Sequence, residues 1–264
     1  MNIFLRELRA NLKSLLIWSG IAILFTTVGF SKFSAFYENP ELLAIMDTIP
    51  PAMLAALDMQ AFNLTSVSGF YGVMFGYFSL LLSIAAVMWG SDIISKEERQ
   101  KTVEFSLTLP VTRSRLVTAK AAAALLNCLV LLLVTLGVVA VSAGNYQPDA
   151  DFFHFVALSL PAFFLNQLVF LSVGIFLGCA LRQHKKAGST AVSILLVCYF
   201  ASMIMGMSEK LLFLRYLTPF KYFVAVLMMR ESRLEVRFVL LSLVISAIAM
   251  LAAHFTYAKR DLAI

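Results

Sequence analysis

Long apolar stretches free of charge divide this chain. Six windows contain no Lys, Arg, Asp or Glu: between Lys13 and Lys32, Asp58 and Asp92, Lys120 and Asp149, Asp151 and Arg182, Lys186 and Glu209, and Arg237 and Lys259. Each can supply the roughly 20 residues that a helix needs to cross a hydrocarbon core about 30 Å thick. Only helices and closed barrels satisfy the backbone there, and continuous apolar runs without period-two alternation exclude a barrel. The pattern predicts an all-α polytopic membrane protein: one transmembrane domain over residues 1–264, with six transmembrane helices.

The stretches outside the windows carry patterns of their own. Leu5, Leu8, Leu12 and Leu15 share one helical face, and Arg6, Arg9 and Lys13 share another. Residues 1–13 are therefore expected to form an amphipathic elbow helix in the headgroup plane before the chain turns into the bilayer. The apolar run over 14–31 exceeds a signal-peptide core and lacks an A-x-A-like end, so it reads as a retained first span. Asn39-Pro40-Glu41 and Pro50-Pro51 read as helix starts, leading to Leu42, Ile45 and Met46 and then to Met53, Leu54 and Leu57. The first external loop is thus expected to hold two short helices.

Composition agrees with the windows. The 264 residues are 61% hydrophobic and 14% charged, with mean hydropathy +0.87, where a soluble domain carries ~25% charged residues. The net charge of +6 sits in loops beside apolar runs, which is a signal of membrane orientation rather than of nucleic acid. Of the 21 Lys and Arg, fourteen fall on one side: residues 6–13, 92–120, 182–186 and 259–260. That side is predicted to be cytoplasmic, together with both termini. One stretch runs against the rule: 209–237 is external in this scheme yet carries six Lys or Arg against three Glu. A seventh crossing would bury Arg215 or Lys221 at roughly 2.5–3.5 kcal/mol each. Thr218-Pro219 reads as a cap followed by proline at the first helical position, so 208–236 is expected to be an external re-entrant or interfacial segment of short helices.

Chemistry-bearing motifs are few. There is no G-x-x-x-x-G-K-[ST], H-E-x-x-H or G-x-S-x-G, His154, His184 and His254 are scattered, and Cys128, Cys179 and Cys198 lie in apolar runs without a C-x-x-C. The chain therefore reads as a non-enzyme with no cofactor or metal of its own. Spans without charge also argue against an ion-coupled carrier. Asn127, Asn166 and Gln167 are candidates for a substrate path or, with more weight, for interhelical hydrogen bonds. Gly72-x-x-x-Gly76 and Gly174-x-x-x-Gly178 permit close helix approach, within the monomer or across a dimer. Met203, Met205 and Met207 offer thioethers that suit Cu(I), but a spacing of two scatters them around a helix and favours flexible packing.

The loop after the second window contains, in order, Glu97-Glu98, Thr102-Val103-Glu104-Phe105, Leu109-Pro110-Val111-Thr112-Arg113-Ser114, and Lys120 at the opening of the third span. This resembles the cytoplasmic loop of ABC transporter permeases of the type-2 exporter class, with Lys101 standing where the family has glycine. Arg6-Glu7-Leu8-Arg9 and Leu15-Leu16-Ile17-Trp18 resemble the family's elbow helix and first span. Leu217-Thr218-Pro219-Phe220-Lys221-Tyr222 is similar to its external L-[ST]-P-F motif, and Tyr257-Ala258-Lys259-Arg260-Asp261-Leu262 to its aromatic-then-R-D-L finish. The resemblance covers nearly the whole chain.

It implies the permease subunit of an ATP-driven exporter in a bacterial or archaeal cytoplasmic (inner) membrane. ATP and Mg would be bound by a separate ATPase subunit in two copies, and a second permease, identical or related, would complete a dimer in the lipid bilayer. A coupling segment over 92–116 would dock on the ATPase through Glu97, Glu98, Thr102, Val103, Glu104, Phe105, Leu109, Pro110 and Arg113. By pattern alone Val103 to Leu109 alternates as a strand does, whereas the resemblance implies a coupling helix. A stand-alone secondary carrier or channel and a non-transporting membrane scaffold are the rival readings, and neither needs an ATPase.

Overall fold

Each charge-free window becomes one long helix. The computed structural model describes residues 3–37, 39, 49–56, 59, 62–99, 112–181, 184–206 and 209–259. Its α-helices are α1 (Ile3–Phe33), α2 (Pro51–Ala56), α3 (Val67–Arg99), α4 (Arg113–Ala143), α5 (Ala150–Ala180), α6 (His184–Gly206), α7 (Ala225–Glu231) and α8 (Val236–Lys259). Among the described residues six helices, α1, α3, α4, α5, α6 and α8, are long and apolar enough to cross a membrane, and there is no strand.

α1 includes both the amphipathic start and the first span. It runs unbroken through Lys13 for 31 residues, about 46 Å at 1.5 Å per residue. No glycine or proline occurs before Gly20, so nothing in this stretch disrupts the hydrogen-bond ladder to bend it. The amphipathic start and the span are one continuous helix.

α3 and α5 form the centre, packed along one another, with α8 against α5, α4 between α1 and the central pair, and α6 on α3. The most apolar window is 67% buried in α3 and 61% in α5 but only 17% in α1. α1, α6 and α8 therefore present apolar faces outward, for example Leu24 on α1, Val197 on α6 and Leu251 on α8, as a bundle solvated by lipid does.

The α3–α5 pair is close because of glycine. A Cβ on Gly174 would lie 2.6 Å from the Val87 carbonyl oxygen and 3.0 Å from the Ser91 nitrogen. One on Gly178 would lie 2.8 Å from the Ser91 carbonyl oxygen, and one on Gly90 would collide with the Leu171 carbonyl. Backbone meets backbone there with no side-chain layer between.

The opposite end is stapled by aromatics and caps. The Tyr146 hydroxyl donates to Phe30 O at 2.8 Å, and the Tyr37 hydroxyl donates to Tyr146 O at 3.2 Å. Phe33 stacks on Phe70, with ring centroids 4.6 Å apart. Asp149 caps α5, accepting from Phe152 N at 2.8 Å. Of the two short helices expected in the first loop, α2 begins at Pro51, whereas the start at Pro40-Glu41 lies outside the described residues.

The 208–236 stretch forms 3₁₀ turns at Glu209–Tyr216 and Pro219–Lys221, followed by α7. Pro219 takes the first position of its turn after Thr218. Thr218 does not cap it through its side chain, because its hydroxyl donates backwards to Leu214 O at 3.0 Å.

Candidate functional site

The sequence patterns converge on the end of the bundle where α3 hands over to α4. α3 ends at Arg99 and α4 starts at Arg113, so the ends of the 92–116 segment belong to these helices. Glu97 and Glu98 lie in the last turn of α3. Thr102, Val103, Glu104, Phe105, Leu109 and Pro110 lie outside the described residues. Thr112 is the N-cap of α4, its hydroxyl accepting from Arg115 N at 3.3 Å, which gives the threonine of L-P-V-T-R-S a physical task.

Two attachments hold this handover in place. Lys120, in the third turn of α4, is 1% exposed. Its Nζ donates to Ile93 O of α3 at 2.9 Å and lies 3.6 Å from Glu7 Oε2 of α1. Asn11 Nδ2 donates to Glu7 Oε1 at 3.1 Å, and Lys96 Nζ reaches Asn11 Oδ1 at 3.4 Å. A buried ammonium persists only when it is paired and hydrogen-bonded, and here the pairing joins three helices. Trp89 Nε1, donating to Ser14 Oγ at 2.9 Å, adds a further α3–α1 link.

The second attachment is Arg113. Its Nη1 donates to Tyr257 O and Ala258 O at 3.4 Å, meeting the last carbonyls of α8, where a cation also complements the helix dipole. Three stretches far apart in sequence thus meet at the start of α4: Glu7 with Lys120, and Arg113 with Tyr257. The charge windows treat Lys120 as a boundary, so neither its burial nor its pairing with Glu7 was legible. A basic residue seven places inside the start of a helix was the only signal.

Deeper in the bundle, Asn166 Nδ2 donates to Ser79 Oγ at 2.5 Å, joining α5 to α3. Gln167 Nε2 donates to Cys128 O at 3.3 Å, joining α5 to α4. Asn127 is buried on α4. Gly174 and Gly178 lie against the α3 backbone within the chain, and their partner Gly90 was missed because no glycine stands four residues from it on α3. Gly72 and Gly76 do otherwise. Gly72 makes room for the Phe62 ring, and nothing lies within 4 Å of a Cβ on Gly76.

Gly76 faces a cavity of about 70 Å³ between α3, α6 and the 219–226 stretch, lined among others by Ser79, Tyr199, Ser202, Phe220 and Lys221. That is room for a few water molecules. Met203 lines it too, Met205 is buried, and Met207 lies outside the described residues.

Beyond the cavity, the Tyr222 hydroxyl donates to Tyr216 O at 2.6 Å. Burial, with the neighbouring Cys198, pushes it up to about 12. Arg215 donates through Nε to Lys221 O at 3.0 Å and through Nη2 to Glu235 Oε1 at 2.8 Å. Arg237 Nε donates to Glu235 Oε2 at 2.6 Å. Burial works to raise the Glu235 carboxyl, but the hydrogen bonds and charges of Arg215 and Arg237 outweigh it and hold it below the ordinary value.

Six long apolar helices, fastened by polar contacts at the α3–α4 handover, define a multi-pass helical membrane protein. The chain matches the ABC-2 family transporter protein family over residues 1–262 and belongs to it. It is a permease component of an ABC transporter, a transport part rather than a catalytic one, and membership implies an ATPase partner. No curated protein gives a significant match to the chain.

Proposed function

We propose that this permease couples ATP hydrolysis on two separate ATPase subunits, which bind ATP and Mg, to export across a bacterial or archaeal cytoplasmic membrane. It does so as a homodimer or with a related permease. The side bearing the 100–111 stretch and both termini faces the cytosol, in line with the excess of Lys and Arg there. Glu97, Glu98, Thr102, Val103, Glu104, Phe105, Leu109 and Pro110 dock on the ATPase: apolar side chains fill a groove and charges set register. Arg113 is the point where the docked segment joins the bundle.

The observation that carries this reading is the fastening at both ends of the segment. Lys120 ties the two flanks to each other and to α1, and Arg113 ties the α4 flank to α8. Movement imposed on the segment is thereby delivered to helices at the periphery of the bundle as well as to α3 and α4.

The test is a pulldown of the tagged full-length chain from its host in mild detergent, with identification of co-purifying proteins. A Walker-motif ATPase is expected to co-purify and to be lost from the F105D/L109D double variant. An assembled F105D/L109D that retains the ATPase would refute docking through this segment. ATP-independent transport by the purified chain in vesicles would refute the coupling.

A further inference from the structure

The basic excess in 209–237 lies at the end of the bundle where the positive-inside rule expects none, and the permease reading leaves it without a purpose. Two of its cations are held in a defined frame. The Arg215 and Arg237 guanidinium carbons sit 4.2 Å and 5.0 Å from the Phe238 ring centroid. Both pair with the single carboxylate of Glu235, so the cluster keeps one net positive charge. The contacts to Glu235 and Lys221 use Nε and Nη2 of Arg215, and those to Glu235 use Nε and Nη2 of Arg237, which leaves each Nη1 outside them. Planar guanidinium donors suit phosphate oxygens.

Around these cations lies an open cleft of about 320 Å³ lined by Leu212, Phe213, Arg215, Tyr216, Arg237 and Phe238. Phe213 is 63% exposed and Tyr216 55%, a combination suited to the membrane–water interface. Arg237 lies in the first turn of α8. The exposed apolar side chains of that helix, including Leu240, Val244, Ile248 and Leu251, continue from it along the span. Charge at headgroup level and an apolar track beneath it are the two halves of one ligand chemistry.

We propose that this cleft binds an anionic phospholipid in the leaflet at that end of the bundle. The phosphate lies against Arg215 and Arg237, and the acyl chains run along the exposed face of α8. The bound headgroup supplies the negative charge that the segment lacks, and so holds in place the 3₁₀ turns that close the cavity above Gly76.

The test uses the full-length permease in mild detergent, offered chain-matched phosphatidylglycerol and phosphatidylcholine, with bound lipid counted by native mass spectrometry. Wild type retains phosphatidylglycerol in preference to phosphatidylcholine. R237Q lowers that preference about fivefold, the worth of one basic residue at an anionic surface. R233Q is the control, because Arg233 pairs with Glu231 and does not line the cleft, and it leaves the preference unchanged.

Equal retention of the two lipids by wild type overturns the proposal, and that comparison alone decides the matter should R237Q fail to assemble. A folded R237Q with an unaltered preference overturns it as well. So does displacement of the lipid by equimolar glycerol phosphate, which would identify a soluble anion as the ligand. So, finally, does a dimer that shows no lipid preference and that R237Q dissociates, which would make the cleft a contact between copies.

Discussion

Replacing Lys120 with methionine isolates the fastening at the α3–α4 handover. Methionine keeps the length and most of the apolar volume of the lysine stem, so the change removes the ammonium rather than the packing. At 3.6 Å the attraction between Lys120 and Glu7 is about 5 kcal/mol at an effective dielectric of about 20. Much of that only offsets the desolvation of the two ions. The informative quantity is the asymmetry: removing one member strands the other charge among buried residues, at about 3–5 kcal/mol. The Asn11 amide at 3.1 Å from the Glu7 carboxylate softens this, so K120M is expected near the lower end, about 3 kcal/mol.

E7Q leaves Lys120 bonded to Ile93 O and is expected to cost somewhat less. The double variant E7Q/K120M strands neither charge, so its cost falls short of the sum of the two singles by about 2 kcal/mol. Steric trapping in bicelles, which reads unfolding free energy directly, measures all three. A K120M cost below about 1 kcal/mol, the range of an exposed pair, would refute the reasoning, as would additivity of the two changes.

The other expectations can be checked on the same preparation. G174A, which brings a methyl group to 2.6 Å from the Val87 carbonyl oxygen, is expected to cost about 1–3 kcal/mol. G76A, with open space around its Cβ, is expected to be neutral or slightly stabilising; equal thermal shifts for the two would contradict the backbone contact. T112A removes the α4 cap and is expected to cost about 1 kcal/mol, seen as faster hydrogen exchange over 113–116 with α5 unaffected. Glu235 is held below its ordinary carboxylate value, so its contribution to stability is present above the unfolded value and is lost as pH falls through the folded one. Proteolysis within 209–237 should therefore accelerate on acidification into that range in wild type but show no such step in E235Q.

The spans were legible because charge is so costly in hydrocarbon that its absence alone marks a crossing; each window became one helix. The start of α1 was not, since an amphipathic pattern states which residues share a face and leaves open whether the axis bends. Only the lack of a glycine or proline before Gly20 hinted at a continuous helix. The threonine of Leu109-Pro110-Val111-Thr112-Arg113-Ser114 could be read as part of a docking motif, but its role as the α4 cap depends on where the helix begins. Lys120 looked like the edge of a window because hydropathy cannot separate a cation at the surface from one paired inside. The glycine patterns were half legible: Gly174 and Gly178 needed Gly90 opposite them, a three-dimensional coincidence that no linear spacing records.

The glycine contact between α3 and α5 has a mechanical consequence. Side chains between helices act as a bearing, letting one axis slide or roll on another by changing rotamers. Where two backbones touch, that bearing is missing, and α3 and α5 must travel as one beam. Any opening of this bundle is therefore confined to seams where side chains still intervene, such as α1 along α4, α8 along α5 and α6 along α3. At the level of that contact the pair passes displacement on without absorbing it.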